Sequence, residues 1–110
     1  SELDLKLMTE MKEIIERNLD NTDFTIDSLA YELRVSRTSL YNKIKVLTGN
    51  TPSELIRTYR INRAKTLLQD HRHTVTEVAE LVGFSDHKYF REVFKKTVGI
   101  TPSEYAKSES

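Results

Sequence analysis

The sequence predicts an all-α fold, and three observations carry that prediction. Its 110 residues include only three glycines and two prolines, and no stretch alternates cleanly enough to form a half-buried strand. Apolar residues recur instead at spacings of three and four, which lines up one buried face of a helix. Finally, the second half of the chain returns to the helix punctuation of the first, an approximate internal repeat.

Taken in order, the first helix reads from Leu5 to Leu19, with Leu5, Met8, Met11, Ile14, Ile15 and Leu19 on one face. Residues 18–25 are polar and read as a turn. A short helix follows over Ile26–Leu33, buried through Leu29, Ala30 and Leu33, and Val35-Ser36 makes a tight connection. Leu40, Ile44 and Leu47 mark a third helix that ends at Thr48-Gly49, where glycine suits a left-handed residue. Thr51-Pro52-Ser53-Glu54 is a start signal. Thr51 caps, Pro52 sits in the first turn without losing a hydrogen bond, and Glu54 returns the capping bond. The helix it opens runs to about Leu68, roughly 25 Å at 1.5 Å per residue. Residues 70–73 are polar, and Thr74 with Glu77 forms a second capping box.

The repeat aligns Ile26-Asp-Ser-Leu-Ala30 with Val75-Thr-Glu-Val-Ala79, and Ser36 with Ser85, at an offset of 49. Leu40, Gly49 and Thr51-Pro52-Ser53-Glu54 align with Phe90, Gly99 and Thr101-Pro102-Ser103-Glu104 at an offset of 50, so the drift falls between Ser85 and Phe90. Each copy is a short helix, a tight turn, a second helix, a glycine and a capped helix. A short helix, a turn of three or four residues and a second helix is helix-turn-helix geometry. Ala30 and Ala79 fall where two helices approach closely, Val35 and Phe84 plug the turns, and Ser36 and Ser85 start the second helices. The resulting division is residues 1–50 for an N-terminal helix plus the first helix-turn-helix, 51–69 for a linker helix, and 70–110 for the second helix-turn-helix with a C-terminal helix.

Composition narrows the function. With no cysteine, disulfides, zinc fingers, iron–sulfur centres and thiol nucleophiles are excluded. No apolar run approaches a membrane span and no signal peptide precedes the first helix, so an intracellular, cytoplasmic setting is expected. No HExxH, glycine-rich phosphate loop or nucleophile elbow occurs, and His71 and His73 read as exposed loop residues. No enzymatic activity, cofactor or metal is expected. The net charge of zero hides a strong asymmetry. Residues 1–33 carry nine acids and three bases, residues 34–65 eight bases and one acid, and residues 66–110 six bases and seven acids. Two helix-turn-helix patterns joined by a basic helix, in a chain whose middle third is strongly basic, point to double-stranded DNA as the partner.

The base-reading side chains are those on the second helix of each unit that the buried stripe leaves exposed. In the first unit Thr38, Tyr41, Asn42 and Lys45 share a face. Asn42 suits the bidentate contact to adenine, Thr38 and Tyr41 suit a thymine methyl, and Arg37 at the helix start suits either guanine or phosphate. In the second unit Lys88 and Arg91 suit guanine or phosphate, Lys95 adds charge, and His87 suits a base or a phosphate. Glu92 pairs with Lys88, Lys95 or Lys96, or accepts from cytosine, and the pairing is the expectation. Phosphate oxygens are expected at the helix starts Ser36, Thr51, Ser85 and Thr101, and at Lys45 and Lys95. Arg57, Arg60 and Arg63 divide between phosphate contact and pairing with Glu10, Glu13 and Glu16. A different class of reading makes the same surface a protein-interaction module that touches a receiver domain or RNA polymerase.

Several stretches carry a family resemblance: Ser36-Arg-Thr-Ser-Leu-Tyr-Asn-Lys-Ile-Lys45, Arg60-Ile-Asn-Arg-Ala-Lys-Thr-Leu-Leu68, Val78-Ala-Glu-Leu-Val-Gly-Phe-Ser-Asp86, Lys88-Tyr-Phe-Arg-Glu-Val-Phe-Lys-Lys96 and Gly99-Ile-Thr-Pro-Ser-Glu-Tyr105. Over about residues 8–106 the chain resembles the DNA-binding domain of AraC/XylS-family transcription regulators. The wording from Ser36 to Gly49 resembles the C-terminal output domains of Bacteroidetes hybrid two-component sensors. A conventional response regulator and a sugar-sensing regulator with a cupin-like domain are the other parents of this type.

The resemblance implies about seven helices in two helix-turn-helix subdomains joined by a long linker helix. Their recognition helices would enter successive major grooves, about 34 Å apart, so one chain reads two half-sites. It places base reading at Thr38, Tyr41 and Asn42 and at His87, Lys88 and Arg91. Many relatives carry arginine where Asn42 stands, which shifts the expected read there from guanine to adenine or to a weaker read. The implied partners are duplex DNA, RNA polymerase, and the receiver or sensor domains of a longer parent; dimerisation through that parent, and its anchoring in a membrane with this domain on the cytoplasmic side, are the accompanying expectations. No small-molecule site is implied within these residues.

Overall fold

A computed structural model describes residues 1–108, and those residues form seven helices. They are α1 (Glu2–Arg17), α2 (Ile26–Leu33), α3 (Arg37–Thr48), α4 (Pro52–Gln69), α5 (Val75–Leu81), α6 (His87–Val98) and α7 (Pro102–Ser108). The predicted order of elements holds throughout. Two compact units result: Ser1–Asn18 with Asp23–Tyr59, and Leu19–Thr22 with the chain from Arg60 onward. The stretch expected to be a separate linker is one continuous helix, α4, whose residues to Tyr59 pack with the first unit and whose remainder packs with the second.

Side-chain caps set the helix starts. Ser1 accepts the Asp4 N–H, Thr25 accepts that of Ser28, and Ser36 accepts that of Ser39. Three reciprocal boxes join a threonine to the glutamate three residues on. The Thr51, Thr74 and Thr101 N–H groups donate to Glu54, Glu77 and Glu104 at 2.8, 2.8 and 2.9 Å. Each glutamate N–H returns a bond to the threonine hydroxyl at 3.2, 3.1 and 3.1 Å. Left-handed residues end α3 and α6 at Gly49 and Gly99, whose N–H groups reach back to the Lys45 and Lys95 carbonyls.

In the first unit α1 packs against α2 and α2 against α3. Met11, Ile14, Ile15, Phe24, Leu29, Ala30, Leu40, Ile44, Leu55 and Ile56 are its buried apolar residues. Two residues assigned to the buried face of the first helix lie elsewhere. Leu5 is 70% exposed, because at that level of α1 the inward position belongs to Asp4, half-buried against Lys43 of α3. Leu19 lies beyond the helix end and is buried in the second unit. The second core gathers Ile61, Ala64, Leu68, Val78, Ala79, Val82, Phe84, Phe90 and Phe94. Its rings run in sequence from Phe84 to Phe90 to Phe94 to Tyr105, with centroids 5.2, 5.9 and 5.6 Å apart.

The two helix-turn-helix turns differ. Phe84 fills its turn as expected, whereas Val35 is exposed and does not. Ser36 caps α3, but the cap of α6 is Asp86, which accepts the Tyr89 N–H at 3.1 Å. Ser85 is an extra residue in the turn, which locates the one-residue drift of the repeat. The equivalent left-handed positions are Arg34 (φ 60°) and Gly83 (φ 91°). Arg34 shows that this backbone tolerates a side chain, so conformation alone does not demand glycine at 83. Space does: a Cβ on Gly83 would overlap the Arg60 guanidinium and the Leu19 carbonyl.

Two outcomes are expected. Gly83→Ala should lower unfolding free energy by about 2–4 kcal/mol, whereas Arg34→Gly should raise it by about 1 kcal/mol or less; urea titration of both variants checks the contrast. The capping glutamates also make stability depend on pH. Accepting the threonine backbone N–H, and then its hydroxyl, holds Glu54, Glu77 and Glu104 below the ordinary 4.5. A folded-state pKa lower than the unfolded one contributes stability above the unfolded value, lost as pH falls through the folded value. The urea midpoint should therefore hold above pH 4.5 and decline below it, less steeply when all three are changed to glutamine.

Candidate nucleic-acid interface

The buried stripe of α3 is Leu40 and Ile44, and that of α6 is Phe90 and Phe94. What each stripe leaves outward is a polar face. On α3 it holds Arg37, Thr38, Tyr41, Asn42 and Lys45, all exposed. On α6 it holds Lys88, Arg91 and Lys95, also exposed, with His87 half-buried at the first turn. Among the described residues no hydrogen bond or ion pair engages the side chains of Thr38, Tyr41, Asn42, Lys88 or Arg91. Neither helix has an acid in its first turn, although the α6 cap is itself Asp86. The α3 start is thus the more electropositive of the two.

Three groups from these faces are already engaged. Arg37 Nη1 stands 3.5 Å from Asp27 Oδ1, and His87 Nε2 stands 3.2 Å from Glu80 Oε2. Lys45 Nζ donates to the Gly49 carbonyl at 3.1 Å, meeting the negative end of α3. The acids Asp27 and Glu80 escaped the sequence reading because each reaches its partner across a turn, where helical spacing gives no signal. Lys43 likewise meets Asp4 Oδ1 at 3.1 Å, and hydrogen bonding to that ammonium is the main cause that holds Asp4 below an ordinary aspartate.

Several expected phosphate contacts are redirected. Arg60 is buried, 8% exposed, and its Nη1 donates to the Leu19 and Val82 carbonyls, so it faces the interior of the second unit. Burial holds its pKa below that of an ordinary arginine. Ser85 does not start a helix and offers no helix N-terminus. Thr51 and Thr101 do start helices, but Glu54 and Glu104 fill those N-termini with carboxylates. The box and Pro52 together leave Ser53 as the first-turn residue of α4 whose N–H is not used, and a phosphate there would meet Glu54. Lys45 and Arg57 also add a smaller attraction that favours the Glu54 carboxylate. Of the α1 acids expected to pair with these arginines, Glu16 meets Lys12 of its own helix at 4.0 Å; Arg17 of α1 meets Glu32 of α2 at 3.9 Å. Among the described residues Glu92 forms no ion pair with Lys88, Lys95 or Lys96; an exposed helix pair gains little in water. No helix among them is long and apolar enough to cross a membrane.

Two helix-turn-helix units with outward polar second helices define the class of DNA-binding domains found in transcription regulators. A family model described as a helix-turn-helix domain matches residues 29–108. Histidine kinase P4 of Formosa agariphila is 39% identical over 105 residues, covering 96% of this chain and 8% of its own length. A transcriptional regulator with an AraC-type DNA-binding domain from Chromobacterium violaceum matches with TM-score 0.91 and 27% identity, over 100% of this chain and 97% of that one. The DNA-binding domain of AdpA, a global transcriptional factor solved in complex with a target DNA, matches with TM-score 0.77 and 27% identity, over 89% and 90% of the two chains. The chain belongs to the AraC/XylS family of helix-turn-helix DNA-binding domains, a family of transcription regulators and not of enzymes. It spans between 8% and 56% of the length of three curated relatives.

The interior placement of Arg60 separates it from its neighbour Arg63, which is exposed. Arg60→Met should cost about 2–4 kcal/mol, because two buried carbonyls lose their donor. Arg63→Ala should stay within about 0.5 kcal/mol of the parent. Chemical denaturation of the two variants checks the difference.

Proposed function

We propose that this chain is the output domain of a bacterial transcription regulator that binds double-stranded DNA sequence-specifically, with α3 and α6 reading successive major grooves. The observation that carries the reading is the pair of exposed, largely unengaged polar faces, each on the second helix of its unit. In the first unit the base contacts are Arg37, Thr38, Tyr41 and Asn42. Asn42 takes adenine N6 and N7, and Thr38 and Tyr41 meet thymine methyl groups. In the second they are His87, Lys88 and Arg91, with the cations directed to guanine. Ser36 at the α3 start, Lys45 and Lys95 are the phosphate contacts. The AdpA domain, solved with its target DNA, supports the mode of binding. The kinase relative supports a two-component parent whose receiver or sensor domains govern this module in the cytoplasm. RNA polymerase is the further partner of such an output domain, and pairing of two copies would come through the parent.

Recovery of bound sequences from a random duplex pool at about 0.15 M salt, where phosphate attraction is weakened, tests the reading. The expected product is a motif of two blocks about ten base pairs apart. Asn42→Ala should relax preference in one block and Arg91→Ala in the other, each by about 1–3 kcal/mol per lost base contact. A pool with no enrichment would overturn base reading by the single domain, leaving either a domain that reads DNA only when paired through its parent or a module whose partner is protein.

A further inference from the structure

The first residue of each recognition helix stands against an acid from the helix before it, at 3.5 and 3.2 Å, and the two acids are not repeat-equivalent. Asp27 is the second residue of α2, whereas Glu80 is the sixth of α5. The units thus reach one arrangement, a carboxylate against the first residue of the reading helix, from different positions. The second instance has a chemical consequence that the first lacks. A carboxylate is an acceptor only, so at Glu80 Oε2 the donor is the His87 Nε2–H, 3.2 Å away. The tautomer of a neutral imidazole is set by the bond that one of its nitrogens makes, and here that leaves Nδ1 with a lone pair and no proton.

We propose that Glu80 is a positioning residue for DNA reading: it fixes the orientation and tautomer of His87, so that the ring meets the duplex with Nδ1 as an acceptor. An acceptor in the major groove finds the exocyclic amines, adenine N6 and cytosine N4, and finds no donor on guanine or thymine there. His87 therefore selects an amine-bearing base. The same bond holds the ring back from the phosphates, which offer acceptors at every sequence and would need a donor nitrogen from His87. Asp27 stands against Arg37 at 3.5 Å in the same way, but a guanidinium carries donors only and has no tautomer to choose. The inference rests on the proposed assignment of α6 as a reading helix.

The test uses the 110-residue chain and has two readouts. Long-range proton–nitrogen correlation at about pH 8, where histidine rings are ordinarily neutral, reports the His87 tautomer without DNA. The parent should show Nε2–H. Glu80→Ala should shift the ring toward a mixture of tautomers, and Glu80→Gln, whose amide oxygen still accepts, should restore it. The second readout is affinity for the recovered site against duplexes changed one base pair at a time. Glu80→Ala should lose about fivefold of the preference at the same base pair where His87→Ala loses it, with Glu80→Gln near the parent and all melting temperatures alike. A parent ring protonated at Nδ1, or a Glu80→Ala variant that keeps its preference, would overturn the proposal. A parent with no preference at any base pair would instead overturn the reading-helix assignment, and the tautomer measurement would still decide whether Glu80 fixes the ring.

Discussion

Arg60 takes a permanent charge into the interior of the second unit and meets it there with two main-chain carbonyls. Such an arrangement works only where the carbonyls are fixed and carry extra negative character. Val82 supplies this, because it is the C-cap of α5, where the unpaired carbonyls of a helix accumulate partial negative charge. Leu19 supplies the second acceptor from a segment far away in sequence. The guanidinium leaves no room for a side chain at residue 83, and so the turn between α5 and α6 is written around it. The turn that leads from α5 into α6 is therefore tied to this one donor, while Phe90 and Phe94 seat α6 itself in the core.

The two halves of the chain solve the same problem with different parts. In the first unit the left-handed turn residue is Arg34, the plug residue Val35 is exposed, and Ser36 follows at once as the cap. In the second unit the left-handed residue is glycine, Phe84 is buried, and one more residue intervenes before Asp86 caps the helix. Larger aromatic packing accompanies the longer turn, with Phe84, Phe90, Phe94 and Tyr105 in successive ring contact. The outward faces diverge as well. Thr38, Tyr41 and Asn42 stand where the second unit has Lys88, Arg91 and Glu92, so the α6 face carries the stronger charges of both signs.

Much of this was legible in the sequence because the signals were local. Capping boxes at Thr51, Thr74 and Thr101, the helix-ending Gly49, and the apolar spacing of α3 and α6 all act within one or two helical turns. The exposed candidates Thr38, Tyr41, Asn42, Lys88 and Arg91 followed from the same spacing. What escaped was decided between elements. An arginine in a basic helix looks like a phosphate contact until its burial is seen, and Arg60 has no local feature that separates it from Arg63. Leu19 continues the spacing of α1 by accident of composition, although the helix has already ended. The serine of the second turn matched its counterpart by name, yet the extra residue moved the capping role to Asp86. Asp27 and Glu80 gained their partners across turns, where no periodicity links them.

The sharing of residues 19–22 with the second unit has a consequence for how the chain comes apart. The repeat invites a cut between copies, as though each were a module that could be moved alone. A piece beginning at Arg60 would keep the three C-terminal helices but lack Leu19, and its buried guanidinium would be left with the Val82 carbonyl as its acceptor. During synthesis the order is reversed: the segment emerges from the ribosome early and waits for some forty residues, roughly the span from Leu19 to Arg60, before its hydrogen-bond partner exists. A duplicated architecture has thus become indivisible at one point, by a single backbone carbonyl.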